Sequence, residues 1–198
     1  MARIIVFNSV TLDGVMQSPA RPDEDTRGGF RHGGWAIPYA DPMIQDLASE
    51  GSGRPGGILL GRWSYEELYR VWGHATDNPF SPIFNANPKY VVSRSLREPL
   101  AWQNSILLGG DGIQSVADLR ATFDGDLTII GSGQLIRSLL PHGLIDRFVL
   151  LITPLVLGSG TRLFEPGTAC ADLRLVESRT SSTGVIVATY DVASARPA

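Results

Sequence analysis

At 198 residues, with 43% hydrophobic and 19% charged side chains, the chain is long enough to bury the core of one ordinary domain and too apolar to stay disordered. A formal charge of −3, with arginines scattered rather than grouped, gives no electrostatic footprint for nucleic acid. The apolar run at the N-terminus is too short for a signal peptide and no later run reaches spanning length, so no membrane association and a cytoplasmic location are expected. One cysteine, Cys170, excludes an internal disulfide, and His32, His74 and His142 lack the spacing of a metal site, so no metal is expected.

Arg3 to Ser9 is an apolar run rich in β-branched residues and predicts a central strand. From Val10 to Ala40 glycine and proline interleave with charge, which reads as a long loop. A loop of this length is either an active-site lid, expected over about 16–40, or a plain surface excursion. Asp41-Pro42 opens a helix that ends near Glu50, by the rule of a capping Asp followed by Pro at the first helical position. After the connector Gly51 to Gly57, Ile58 to Leu60 is a short buried strand. It runs into Gly61-Arg62-Trp63-Ser64, where Ser64 and Glu67 have capping-box spacing for a second helix.

Asn78 to Pro88 reads as a loop, Lys89 to Ser93 and Ile106 to Leu108 as strands, and Gly112 to Thr122 as a helix with apolar residues at helical spacing. Leu127 to Ile130 predicts a buried strand, Gly131-Ser132-Gly133 a tight turn, the residues up to Pro141 a helix, and Ile145 to Thr153 another buried strand. Leu173 to Glu177 and Gly184 to Val192 alternate around Ser181-Ser-Thr-Gly184 as an antiparallel hairpin does. The order predicts an α/β fold in a single domain, 1–198, with a mostly parallel sheet, an antiparallel C-terminal edge and flanking helices.

Two junctions, at Gly61 and at Gly131 to Gly133, each end a strand and open a helix. In a parallel sheet both helix starts lie along the carboxyl edge, where unpaired N–H groups attract phosphates, and two such starts suit a dinucleotide pyrophosphate. The ordinary dinucleotide fingerprint needs a third glycine where Ile136 stands, and no phosphate-loop Gly-Lys-Ser or Gly-Lys-Thr occurs. Arg62 and Arg94 follow strand ends on the same edge and suit a 2′-phosphate, which favours the phosphorylated cofactor.

The ordered pieces Ser9-x-Thr11-Leu12-Asp13-Gly14, Leu60-Gly61-Arg62-x-Ser64-Tyr65, Val91-Val92-Ser93-Arg94-Ser95, Ile130-Gly131-Ser132-Gly133-x-Leu135, Leu144-Ile145-Asp146-Arg147 and Thr153-Pro154 through Gly158-Ser-Gly160-Thr-Arg162-Leu163-Phe164 span nearly the whole chain. In that order they resemble the dihydrofolate reductase-like superfamily, in particular the C-terminal reductase domains of bifunctional riboflavin-biosynthesis deaminase/reductases. The resemblance implies an NADPH-dependent reductase of a small heterocyclic or cyclic-imine substrate, pterin-like or pyrimidine-like, and a homodimer. It implies cofactor contacts from Gly61, Arg62, Trp63, Ser64, Ser93, Arg94, Ile130, Gly131, Ser132, Gly133, Gln134 and Leu135, with Leu12, Gly14 and Val15 closing on the nicotinamide.

By the same resemblance Asp41 holds the place of a substrate-binding acid, although its role as a helix cap is explained without one, and Thr153 borders the substrate. Folate reductases carry an arginine before the third strand to hold the tail carboxylate. This chain has Asn87-Pro88-Lys89 there, so Lys89 is the available point charge and dihydrofolate is disfavoured. The alternative is a nucleotide-binding module that keeps the fold without the chemistry.

Overall fold

A computed structural model describes residues 1–52, 56–75 and 81–196. The expected connector at Gly51 to Gly57 and the loop from Asn78 fall partly outside them. Eight strands form one sheet: β1 (Arg3–Thr11), β2 (Gly56–Gly61), β3 (Lys89–Val92), β4 (Ser105–Leu108), β5 (Asp126–Ile130), β6 (Arg147–Thr153), β7 (Cys170–Thr180) and β8 (Ile186–Arg196). Their order across the sheet is β4-β3-β2-β5-β1-β6-β8-β7. The first six strands run parallel, and β8 and β7 add an antiparallel edge.

Helices α1 (Pro42–Ser52), α2 (Arg62–Trp72), α3 (Ser81–Ala86), α4 (Gly112–Thr122) and α5 (Gly133–Leu139) complete the α/β fold. They cover both faces because the central strands are apolar on both. In β2, Leu59 packs into a core with Val6, Leu127, Ile129 and the α5 residues Leu135 and Ile136. Its neighbours Ile58 and Leu60 point the other way, against Tyr65 of α2, Val91 and Trp102. A strand buried on both faces needs an unbroken apolar run rather than alternation, which is what Ile58-Leu59-Leu60 provides.

Three local expectations change. Helix α2 is capped by Gly61 with no side-chain cap bond, so Ser64 lies in its first turn and is not the capping residue. The hydroxyl of Ser64 accepts instead from Ser132 N–H at 2.7 Å, and Glu67 pairs with Arg70. Strand β7 is twice as long as its alternating stretch, because register shifts at Asp172/Leu173 and Leu175/Glu177 break the period that the sequence pattern relies on.

The third change concerns Lys89, which is fully buried and cannot reach a ligand tail. Its ammonium donates to the carbonyl oxygens of Phe84 (2.8 Å), Asn85 (3.4 Å) and Asn87 (2.8 Å) and sits 4.7 Å from the centre of the Trp102 ring. It closes the C-terminal end of α3, where unpaired carbonyls favour a cation. Burial pulls its pKa down to about 8.

Candidate active site

Register alone builds the floor of the site. Leu59 of β2 pairs with Ile129 of β5, and Phe7 of β1 pairs with Ile130. One or two residues further on, Asn8, Gly131 and Gly61 therefore fall in one row across three adjacent strands, with Val92 next to Gly61.

Hydrogen bonds tie that row together. Asn8 is 5% exposed in a strand that is otherwise apolar at its inward positions. Its Oδ1 accepts from Gly131 N–H at 2.7 Å, and its Nδ2 donates to Gly131 O at 3.2 Å. The hydroxyl of Ser132 accepts from Gly61 N–H at 2.9 Å. With the Ser132 to Ser64 bond, the two glycine junctions are cross-linked side chain to backbone in both directions.

The turn between them is bent in a way that depends on its residue types. Gly131 has φ +65°, and a Cβ there would stand 3.0 Å from Ser64 Oγ. Ser132 is left-handed at φ 55°, ψ 40°, a conformation that costs a non-glycine residue about 1–2 kcal/mol. The two bonds of Ser132 to the other junction offset that cost, each contributing about 1 kcal/mol.

A cleft of about 1670 Å³ opens over this floor. That exceeds the roughly 300–1,000 Å³ of an ordinary small-molecule pocket and has room for an extended ligand plus a second, smaller one. Gly61, Arg62, Trp63, Ser64, Ser93, Arg94, Ile130, Gly131, Ser132, Gly133, Gln134 and Leu135 all line it.

One branch runs toward β3 and β4. There Arg62 donates to Glu66 (2.9 Å) and across the edge to Ser95 Oγ (2.9 Å), while Arg94 is exposed. Ser93 Oγ accepts from the backbone N–H groups of Ser95 and Leu96, so it shapes this loop. A second branch runs along α2, whose Ser64, Glu67, Leu68, Val71 and Trp72 share the face toward the cleft.

The segment from Met16 to Ala40 is folded rather than loose, and its first half lines the cleft. Gln17 donates to the carbonyls of Asp25 (3.1 Å) and Arg27 (3.0 Å) and accepts from Thr161 N–H (2.9 Å). Asp25 holds Arg27 through two bonds, of 2.9 and 2.6 Å, and the guanidinium lies 3.9 Å over the Trp63 ring. Arg70 of α2 reaches Asp23 at 3.1 Å. The segment is thus latched to α2 at both ends of that helix.

The remaining expected residues lie away from the cleft lining. Leu12 is 62% exposed and Val15 fully buried, on a turn closed by Thr11. Within that turn Asp13 accepts from Thr11 Oγ1 (2.6 Å) and from the N–H groups of Gly158 (2.9 Å) and Leu157 (3.2 Å). The Thr11 hydroxyl above all, with those amides, brings Asp13 down to about 2. This interlock explains why the Thr11 to Gly14 and Thr153 to Phe164 motifs occur together.

Thr153 is buried opposite Thr11. Asp41 caps α1 through Met43 N–H (2.8 Å) and holds the β7–β8 turn through Ser182 Oγ (2.6 Å) and N–H (2.9 Å). The Ser182 hydroxyl, then the Met43 amide, keep its carboxyl below the usual range. Asn8, Glu24 and Arg27 line the cleft and were not anticipated from the sequence. A polar residue at an inward position of an apolar strand is the signal that points to Asn8.

The solved structures most like this one share its fold at low sequence identity. A riboflavin-biosynthesis-type protein from Shewanella sp. PV-4 superposes with a TM-score of 0.73 at 24% identity, over 98% of this chain and 100% of that one. A pyrimidine reductase-like protein from Corynebacterium diphtheriae gives 0.68 at 15% identity, over 98% and 92%. The dihydrofolate reductase of Enterococcus faecalis, solved with NADP(H), gives 0.59 at 11% identity, over 96% and 94%. In sequence the chain is 28% identical to the uncharacterized protein YyaP of Bacillus subtilis (strain 168), across 95% of this chain and 94% of that one. The family model described as the RibD C-terminal domain matches residues 2–187, and the chain belongs to that family.

Proposed function

We propose that the protein is an NADPH-dependent oxidoreductase that delivers a hydride to a small heterocyclic or cyclic-imine substrate of pterin or pyrimidine type. The observation that carries this reading is the cross-linked pair of glycine junctions under a cleft long enough for a dinucleotide. Family membership and the NADP(H)-bound dihydrofolate reductase of the same fold support it.

The residues present fit such a cofactor. At Gly131 and Gly133 a Cβ would crowd Ser64 and Met16, so the main chain there is bare and open to a pyrophosphate. Arg62 and Arg94 offer guanidinium groups for a 2′-phosphate. A reduced nicotinamide supplies the hydride to an electron-poor C=N carbon. The chain does the rest. Asn8 and Ser132 hold the floor rigid, and the 16–40 segment acts as a lid in which Arg27 stacks on Trp63 and excludes water. Asp13 fixes the Thr153 to Phe164 loop, and Asp41 serves as a structural cap.

The same reading makes the protein a cytoplasmic homodimer. Among the described residues no helix is long and apolar enough to cross a membrane, and the β7 edge exposes Leu173, Leu175 and Val176.

The test is turnover of reduced nicotinamide with a panel of pterins, pyrimidines and cyclic imines, in wild type and Arg62→Met. The expected result is NADPH oxidation with at least one class, and a loss of preference for NADPH over NADH of about ten-fold in the variant. NADPH binding without oxidation across the whole panel would leave a nucleotide-binding module instead.

A further inference from the structure

The cleft holds five carboxylates, and four of them are already engaged. Asp25 pairs with Arg27 at 2.6 Å, Glu67 with Arg70 at 2.7 Å and Glu165 with Arg137 at 3.3 Å, while Asp111 caps α4 through Ile113 N–H at 3.0 Å. Glu24 is different. Its Oε2 accepts from Ala20 N–H (2.8 Å) and Arg21 N–H (3.3 Å), and among the described residues it has no ion pair and its Oε1 has no hydrogen-bond partner. Burial, with the Glu67 charge adding to it, raises its pKa against the opposing effect of Arg21. The charged groups around it are Arg21, Asp23, Asp25 and Arg27 on its own segment and Glu67 and Arg70 on α2.

Beside this carboxyl the cleft becomes apolar. Leu68, Val71 and Trp72 of α2 line it together with Phe84 of α3, and Trp72 stacks on Phe84 with ring centres 5.4 Å apart. This end lies two to three helical turns from the glycine junctions at the start of α2. A flat ring seated against Leu68, Val71 and Trp72 would bury its faces in apolar surface and turn one edge to Glu24. An unpaired, half-desolvated acceptor is costly unless its ligand donates to it.

We propose that Glu24 is the substrate-anchoring carboxyl of the cleft, and that the substrate is a planar heterocycle presenting an N–H-rich or cationic edge and no carboxylate on that edge. This rests on the reductase reading, since it assigns the second ligand of the same cleft. An anionic ring of equal size is rejected, because Glu24 and Glu67 face it together. Binding calls for the ionised form of Glu24, so affinity for a permanently neutral donor ring rises as pH climbs through the raised pKa of that group.

The experiment uses the full chain saturated with NADPH, with 2,4-diaminopyrimidine as the donor-edged probe and orotate as the anionic ring, read by quenching of the tryptophans that line the cleft. Diaminopyrimidine is expected to bind and orotate not. Glu24→Gln should weaken diaminopyrimidine by about ten-fold or more while the NADPH dissociation constant stays within about two-fold. In wild-type protein the side-chain carboxyl carbon resonance of Glu24 should move on adding diaminopyrimidine, a readout independent of whether the variant folds. No binding of diaminopyrimidine, equal binding of orotate, unchanged affinity in a folded Glu24→Gln variant, or a static Glu24 resonance would each overturn the assignment. If NADPH itself fails to bind, the reductase reading falls first; if NADPH binds and only these probes misbehave, the assignment of Glu24 falls alone.

Discussion

Replacing Asn8 with Asp perturbs the floor of the cleft with almost no change of shape. The bond from Gly131 N–H to Oδ1, 2.7 Å, survives, but the donor that faces Gly131 O at 3.2 Å becomes an oxygen. One net hydrogen bond is lost, about 1 kcal/mol, and a part-buried carbonyl is left against an acceptor, about 1–3 kcal/mol more. For a chain of this length each kcal/mol moves the melting temperature roughly 2–4 °C, so a fall of roughly 5–15 °C is expected.

Protonating the introduced carboxyl restores a donor to Gly131 O. Its pKa is therefore raised in the folded state, and the deficit is smallest at low pH and grows as pH rises through that value. Thermal unfolding followed by circular dichroism at pH 4.5 and 7.5 reads the stability. An NADPH titration of the same samples should show weaker binding by about ten-fold, because the Gly131 turn is no longer held in register. A melting temperature and an NADPH affinity both equal to wild type at pH 7.5 would refute the idea that Asn8 fixes the site.

Two further outcomes separate structural from functional roles. Lys89→Met leaves three carbonyls at the end of α3 without their donor and should cost about 1–3 kcal/mol in urea unfolding at pH 7. The folded pKa of Lys89 lies below its ordinary 10.5, so the penalty on its buried charge is present below about pH 8 and is relieved as pH rises toward 10.5. Wild type should therefore gain stability over that window relative to Lys89→Met, and parallel curves would contradict the burial effect. Asp41→Ala should lower the melting temperature, with the difference from wild type shrinking as pH falls below about 3.8, because the lowered pKa of Asp41 makes its contribution fade on protonation. Its NADPH-dependent turnover should stay near wild type; a large fall in kcat with unchanged stability would return Asp41 to the chemistry.

What the sequence disclosed was the part of the site written in local terms. Glycine at a strand end and apolar period along β2 and β5 depend only on neighbours in the chain, so both junctions and the α/β order were readable from them. The bonds that make the junctions one object join residues 68, 71 and 123 positions apart, and nothing local encodes them. Ser64 shows the limit well, because its spacing to Glu67 satisfies a capping rule while its hydroxyl serves another element. Lys89 misled for the opposite reason. Lysine is ordinarily a surface residue, and only the packing of Trp102 and α3 around it makes it an internal cap. Glu24 was invisible as well, since its distinction is the partner it lacks.

The central claim is that the paired junctions and Arg62 hold a phosphorylated dinucleotide. Calorimetric titration of the wild-type protein with NADPH and with NADH at moderate ionic strength tests it most directly. The account predicts saturable one-to-one binding of NADPH, tighter than NADH by about ten-fold or more. No heat of binding for NADPH at millimolar concentration, or equal affinity for both nucleotides, would contradict it.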